Sequence, residues 1–489
     1  MRPWKSAVLV SLLCSGCSIG PKYQRPAAPA PVAFKEMAGN GQWKMATPSD
    51  GLLKGKWWEI FGDPQLNRLE ELVEVNNQNV KQAEAQFREA RAIVLANHAA
   101  YYPSIGSGPS ISQDYSGHRT SNTFSLPGTV SWEPDLWGRV RLSVDNAASN
   151  AQVSAADLEN VRLSQQALLA SDYFLLAAQD MQMAVLANTI TSYDKNLQLT
   201  INRHAGGVAS RSDITLAETQ LASAKAQFVA MHVARAQAEH AIAVLTGRPP
   251  AALEIAATRI AGPPPPIPVG MPSQLLERRP DIAADERLVA AANANVGLAQ
   301  AAYYPTLNLT ASVGFLSSNL VNLVTYASRS WAGQASVSQT LFDFGRRGAA
   351  LQNAVAAYDA TVAAYRQTVL SAFQEVEDDL ASLRYLADEA VQQDDAVKAA
   401  EEALDLEMQR YRAGTDSYLN VITTQIIALG DEQTAITILQ QRMSAAVDLV
   451  KAVGGGWDAS TLPSSIMLRM TATGNPEDTS TVAHPVPDK

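Results

Sequence analysis

Six histidines, two cysteines and an acidic excess set the limits on the chemistry this chain can do. His98, His118, His204, His232, His240 and His484 never fall at the His-Glu-x-x-His spacing that puts two imidazoles on one helix face, so no metal site is expected. Of Cys14 and Cys17 only the second would survive removal of an export signal, which leaves no pair for a disulfide. Gly16-Cys17-Ser18-Ile19-Gly20 has the Gly-x-Ser-x-Gly spacing of a nucleophile elbow but lacks the strand-turn-helix context that exposes such a serine. Gly106-x-Gly108 and Gly454-Gly455-Gly456 are lone fragments, not phosphate loops. No catalytic residue and no cofactor are therefore expected. What remains is a pair of carboxylates, Asp213 and Asp416, each just past a glycine turn. Acids gathered around a narrow mouth attract cations, whereas the same residues at a helix start could act only as caps. Leu419 beside Asp416 reads as packing or as an apolar plug, and Glu375-Val376-Glu377-Asp378-Asp379 as a solvated helix face.

The elements that must position these groups are written twice. Arg203-His204-Ala205-Gly206-Gly207-Val208-Ala209-Ser210-Arg211-Ser212-Asp213 returns 207 residues later as Arg410-Tyr411-Arg412-Ala413-Gly414-Thr415-Asp416-Ser417-Tyr418-Leu419-Asn420. Leu136-Trp137-Gly138-Arg139 likewise matches Asp343-Phe344-Gly345-Arg346, and Ala100-Tyr101-Tyr102-Pro103 matches Ala302-Tyr303-Tyr304-Pro305. Around each turn proline is absent, from 135 to 248 and from 306 to 462, and alanine-rich steps of four and three predict very long helices. Taking 155–203 as mostly one helix gives about 70 Å at 1.5 Å per residue, with a returning helix over 212–245. Gly207 and Gly414 suit left-handed C-caps, Ser210 and Ser417 suit N-caps, and Asp213 or Asn420 follow three residues on. An earlier seam through Leu69, Val73, Asn76, Val80, Ala83, Phe87, Ala90 and Val94 predicts one helix opening at Asp63-Pro64. Apolar residues on more than one helix face favour a closed tube of helices over a two-stranded coiled coil.

Between helices the period changes to two. Phe124, Leu126, Val130 and Trp132 alternate with small or polar residues, as do Leu307, Leu309, Ala311, Val313 and Phe315, and Trp331 through Val337; a weaker, Gly-rich partner covers 104–114. Four strands of about ten residues in two hairpins, near 104–133 and 306–342, are expected, long enough to cross a membrane with lipid on one face and water on the other. Four strands cannot close a barrel, for which roughly eight are the minimum, and an open edge in lipid is costly. The chain must pool strands with copies of itself: three would give twelve strands, and two or four remain open.

At 489 residues, 47% apolar, 18% charged and with a formal net charge of -10, nothing points to nucleic acid. Arg2 and Lys5 precede an apolar run, Ala7 to Leu13, too short to span a bilayer, so 1–16 reads as an export signal. Cleavage before Cys17 resembles processing of a bacterial lipoprotein, although Cys14 stands where leucine is usual, and Ser18 resembles an outer-membrane sorting residue. Lipid attachment at Cys17 is expected, with the strands as the second membrane contact that one acyl chain needs. Residues 17–62 read as a Pro-rich tether, 63–261 and 273–457 as two structural repeats, 262–272 as a stiff Pro-rich linker and 458–489 as a surface tail.

Together the lipidated start with Gly20-Pro21-Lys22-Tyr23-Gln24-Arg25-Pro26, the Trp57-Trp58 to Asp63-Pro64 opening, Arg278-Arg279-Pro280-Asp281-Ile282 and the repeated Tyr-Pro strand starts resemble the outer-membrane efflux protein family, TolC/OprM-like, in its lipoprotein branch. The resemblance implies a mixed α+β membrane protein: a homotrimer with a twelve-stranded barrel in outer-membrane lipid that continues into a periplasmic helical tunnel. It implies a passive exit duct for small molecules that docks on a periplasmic membrane-fusion adaptor protein and an inner-membrane transporter, of the resistance-nodulation-division (RND) type or similar, which chooses the cargo. It places a mixed belt around the tunnel, for which 251–270 and 384–395 are candidates. Family members often carry aperture aspartates where Asn420 and Thr423 stand, so an inherited acidic gate is put in doubt. Tyr411 and Arg412 occupy positions that tie neighbouring helices. A type I protein-secretion duct, and a lipid-tethered periplasmic coiled-coil scaffold with soluble hairpins, are the alternative readings.

Overall fold

A computed structural model describes residues 19–31, 33–36, 55–267, 269 and 274–470. Two helical hairpins dominate it. Helices α1 (Pro64–Asn76) and α2 (Gln78–His98) lead to a hairpin of β1 (Ser104–Ser107), β2 (Ser110–Ser116) and β3 (Arg119–Trp132), and then to α3 (Arg139–Ala205) and α4 (Arg211–Leu245). The second half runs α5 (Pro280–Ala301), β4 (Thr306–Ser317), β5 (Arg329–Ser338), α6 (Arg346–Ala413) and α7 (Tyr418–Ala452), with a short α8 (Ser465–Met470) last. At 67 and 68 residues, α3 and α6 are each about 100 Å long, longer than the 155–203 span expected from sequence.

The strand-to-helix junctions use the repeated motif. Gly138 and Gly345 take left-handed φ of 79° and 89°. The carboxylate ahead of each glycine then receives backbone amides: Asp135 from Val140 and Arg141, Asp343 from Gly345 and Arg347. These acids cap α3 and α6 at their positive ends.

The single helix expected from the first heptad seam is two. Asn77 interrupts it: its Oδ1 accepts from the Asn79 and Val80 amides, and its buried Nδ2 donates to the Leu245 carbonyl at 2.8 Å. The end of α4 therefore abuts the start of α2, and both lie along α3. Gly247, at φ 69°, sits where a Cβ would come within 2.4 Å of the Asn76 carbonyl oxygen. The second half builds the same joint with other residues. Arg279 donates to the Ala452 carbonyl at the end of α7 and ion-pairs with Asp281 and Glu375 at 2.6 and 2.7 Å, so it orders the start of α5. Gly454, at φ 93°, would place a Cβ 2.1 Å from the Arg278 oxygen.

Around these joints lies the main core, in which Trp57, Trp58, Tyr173, Tyr365, Leu169 and Val447 are buried. The strap over 251–267 closes one side of it through Ile255, Ile260 and Ile267 and is held by Arg235, which bridges Asp180, Glu239 and the Ile255 carbonyl. The other belt candidate, 384–395, is plain helix inside α6. Nor does the N-terminal segment hang free where it is described. Pro21 O accepts from Asn293, Tyr23 bonds Glu286, Ala27 O accepts from Arg366, and the amides of Lys35 and Glu36 donate to Glu377. Composition hid this because a segment without periodicity can still borrow a core: Phe34 is buried in the helices' own.

Candidate functional site

The chain has two ends where transport could be shaped: the helix-hairpin tips and the sheet. At the first tip Gly207 takes φ 76°. The Val208 amide returns to the Arg203 carbonyl at 2.9 Å, and Ser210 and Asp213 form a reciprocal capping box at 3.1 and 2.8 Å. At the second, Gly414 takes φ 80° and the Thr415 amide bonds the Arg410 carbonyl. Here the expected serine cap is absent, since the Ser417 side chain accepts nothing. Asp416 instead accepts from the Ser417 amide at 2.7 Å and from Asn420 Nδ2 at 2.6 Å, bracing the turn without reaching the first amides inside α7. The Ser417 amide, with Asn420 and nearby Arg410, holds the Asp416 carboxyl below its usual range. Among the described residues no bond links Asp213 to Asp416; the first belongs to a cap and the second to the turn itself.

Leu419 is 58% exposed, so it does not pack within this chain. Thr423 turns its hydroxyl back to the Leu419 carbonyl at 3.0 Å. Tyr411 is buried and donates to Thr200 Oγ1 at 3.2 Å, tying the second hairpin to the first. Arg203 lies 4.5 Å over the Tyr411 ring and donates to the Arg412 carbonyl at 3.0 Å, so Arg412 contributes its backbone to the tie while its side chain stays exposed. Tyr418 packs against Tyr411, ring centroids 5.1 Å apart and planes tilted by 50°, in an apolar cluster with Ala217, Met408, Val421 and Ile422. Burial, with Tyr411 close by, pushes the Tyr418 hydroxyl far above its ordinary range. Thr200 and Arg203 were missed as tie residues, although Arg203 already stood in register with Arg410 in the repeated motif.

At the other end, the strands form one antiparallel sheet in the order β1-β3-β4-β5, with β2 also on β3. The expected first strand is broken in two at Gly108-Pro109, because proline cannot donate to the ladder. Register sorts the side chains. Val130 pairs Ile105 and Ala311, Val313 pairs Gly128 and Trp331, and Leu307 pairs Val337, all on one face. Ser104, Ser131, Thr310 and Gln334 share the other, followed by Thr129 with Ser312 and Asn308 with Ser336. Trp331 is 84% and Ile105 81% exposed, so this apolar face has no protein against it within the chain. Directly opposed residues of an antiparallel pair lie on the same side, so one face is a lipid surface and the other a wet wall. Both outer edges, β1 with β2 and β5, are paired on one side only. No helix among the described residues is long and apolar enough to cross a membrane.

Cys17 lies outside the described residues. Gly20 is described, and its place is informative: a Cβ there would come 3.0 Å from Gly297 Cα and 3.8 Å from Leu142, on the turns of α5 and α3 next to the sheet.

A half-lipid, half-water sheet set on helices about 100 Å long defines a class, the outer-membrane channels with a helical extension. Comparison places the chain within that class. The profile of the family described as Outer membrane efflux protein matches residues 69–248 and 271–455, and the chain belongs to that family. It is 30% identical over 466 residues to the probable efflux pump outer membrane protein TtgC of Pseudomonas putida, covering 92% of this chain and 95% of that one. To the outer membrane protein OprJ of Pseudomonas aeruginosa it is 31% identical, covering 93% and 96%. The solved structure of the outer-membrane channel OprN superposes with a TM-score of 0.83 at 28% identity, over 90% of this chain and all of that one. The open-state MtrE channel of Neisseria gonorrhoeae gives 0.79 at 28%, over 91% and 99%. The protein is an outer-membrane efflux channel component.

Proposed function

We propose that three copies of this chain join their sheets edge to edge into a twelve-stranded barrel, continued by a helical tunnel through which small molecules leave the cell passively. The observation that carries this reading is the sheet itself, apolar on one face, Ser/Thr-rich on the other and open at both edges, a combination untenable in lipid unless copies close it. Acylation at Cys17 fits, because Gly20 lies at the membrane end of the helices and the N-terminal segment descends from there along α5 and α6. A membrane-fusion adaptor and an inner-membrane transporter of the RND type or similar would dock at the hairpin tips and supply energy and cargo choice. The aperture would be set there by Asp213, Asp416, Leu419, Asn420 and Thr423, with the Tyr411 tie and the Arg412 carbonyl holding the two hairpins together. The names of relatives such as the toluene efflux pump outer membrane protein TtgI and the antibiotic efflux pump outer membrane protein ArpC point to apolar or antibiotic cargo.

The experiment is purification in detergent followed by planar-bilayer recording. A trimer that survives mild detergent, dissociates on heating and conducts is expected; a stable, non-conducting single subunit would overturn the proposal.

A further inference from the structure

The two halves repeat side-chain contacts as well as sequence. Trp132 Nε1 donates to the Tyr101 carbonyl at 3.1 Å, and at the matching place in the second hairpin Gln339 Nε2 donates to the Tyr303 carbonyl at 3.0 Å. Strand register repeats too. Under the correspondence that takes Tyr101 to Tyr303 and Trp137 to Phe344, the pair Ser104↔Ser131 becomes Thr306↔Ser338, which the sheet contains.

A second joint, between the hairpins, is made only once within the chain. Where β3 passes to α3, Trp137 lies on the Tyr304 ring, centroids 5.1 Å apart, and its Nε1 donates to the Pro305 carbonyl at 2.7 Å. This clasp locks the end of β3 against the start of β4, its neighbour in the sheet. The matching residue after β5 is Phe344, and the matching aromatic-proline pair before β1 is Tyr102-Pro103. Both belong to the outer edges, which are paired on one side only. Phe344 is 92% exposed, rests edge-on to Phe342 at 4.5 Å and takes φ 53°, a left-handed conformation that bulky residues rarely hold, while Tyr102 is 60% exposed.

We propose that β5 of one copy pairs the β1–β2 edge of the next in the register that joins β3 to β4, with Phe344 seated on the next copy's Tyr102-Pro103 as Trp137 is on Tyr304-Pro305, an inference that rests on the closure by copies argued above. Carried across the edge, Phe124↔Ser317 becomes Trp331 opposite Tyr115 of the next copy, Gly128↔Val313 becomes Ala335 opposite its Ile111, and Thr129↔Ser312 becomes Ser336 opposite its Ser110. Apolar residues then meet on the lipid face and serines on the wet wall. A one-residue slip would exchange the two faces.

Disulfide trapping in outer-membrane fragments of cells that make the full chain reads this register. Directly opposed residues bring their Cβ atoms to about 4.5–5.5 Å, close to disulfide reach, whereas positions two residues off lie about 7–8 Å apart. Ser336→Cys with Ser110→Cys should give boil-resistant, reductant-sensitive dimers and trimers, several-fold more than Ser336→Cys with Ser112→Cys. Preferential trapping of the offset pair, or no trapping in a chain that still forms a conducting trimer, would overturn the register and leave closure standing; a non-conducting single subunit would overturn both. Phe344→Ala and Tyr102→Ala, at exposed positions, serve if the cysteine variants do not assemble. Each should lower the heat-dissociation temperature of the trimer, with the double variant no lower than the worse single one, because both remove the same contact. Additive losses, or none, would overturn the clasp.

Discussion

Glu70 sits on α1 with both carboxyl oxygens buried and without a hydrogen-bond partner. Burial alone raises its acid well above the ordinary range, so the folded chain holds a proton that the unfolded chain releases. Its contribution to stability is therefore greatest below the unfolded carboxyl value of roughly 4.3 and declines as pH rises above it. Glu70→Leu should raise the thermal midpoint in detergent at pH 7 and flatten that decline, because an unpaired buried polar group costs about 1–3 kcal/mol. A variant that melts earlier than the parent would show that Glu70 has a partner in the assembly. At the tip, Ser210→Ala should cost about 1 kcal/mol through loss of the cap. Asp213→Ala tests the same acid for a second role, since single-channel selectivity unchanged from the parent would leave it as a cap alone. The repeated motif made Asp213 and the turn glycines legible, and the family resemblance pointed to Tyr411. That Ser417 leaves α7 without a side-chain cap was not legible, because a serine there can reach the first amides of a helix and only the local geometry decides whether it does.

Among the elements, the helix joints carry the sharpest constraint. Gly454→Ala would need a left-handed φ of 93° and would drive its Cβ to 2.1 Å from a backbone oxygen, so the joint between α7 and α5 must open. We expect this variant to lose protection in pulse proteolysis. Gly414→Ala meets only the Arg203 guanidinium, at an ordinary 3.6 Å, and should cost only the left-handed penalty, about 1–2 kcal/mol. Equal stability of the two variants would contradict the joint's role. Sequence periodicity announced the helices and their turns but ran straight through Asn77. An asparagine fits a helical seam as well as a cap, and what breaks the helix here is the Leu245 carbonyl arriving from 168 residues away.

For the whole molecule, the outward face of the sheet is the decisive surface. Trp331→Asp places a charge on its most exposed aromatic residue and should block barrel insertion, leaving the chain extractable without detergent; normal conductance would mean that this face does not meet lipid. Where α6 meets α7, burial and then Asp448, Glu375 and Asp378 push the Asp379 carboxyl up to about 7. The sign follows as for Glu70. This group's penalty is absent below roughly pH 3.9, grows as pH rises to about 7 and is constant above that. Asp379→Asn should therefore flatten the loss of stability across that window, as read from melting temperature against pH.

The sequence by itself determined the periods and the punctuation. Alternation of two or of three and four, proline-free runs and paired glycines are local properties, written wherever one face must be apolar. It also carried the need for closure, since too few strands for a barrel is arithmetic on those periods. Only the tertiary structure decided which ends abut, where the N-terminal segment lies and which buried oxygens are left without partners. Those depend on groups far apart in the chain meeting at hydrogen-bond distance, as Asn77 meets Leu245, Arg279 meets Ala452 and Tyr411 meets Thr200, and no local pattern encodes such meetings.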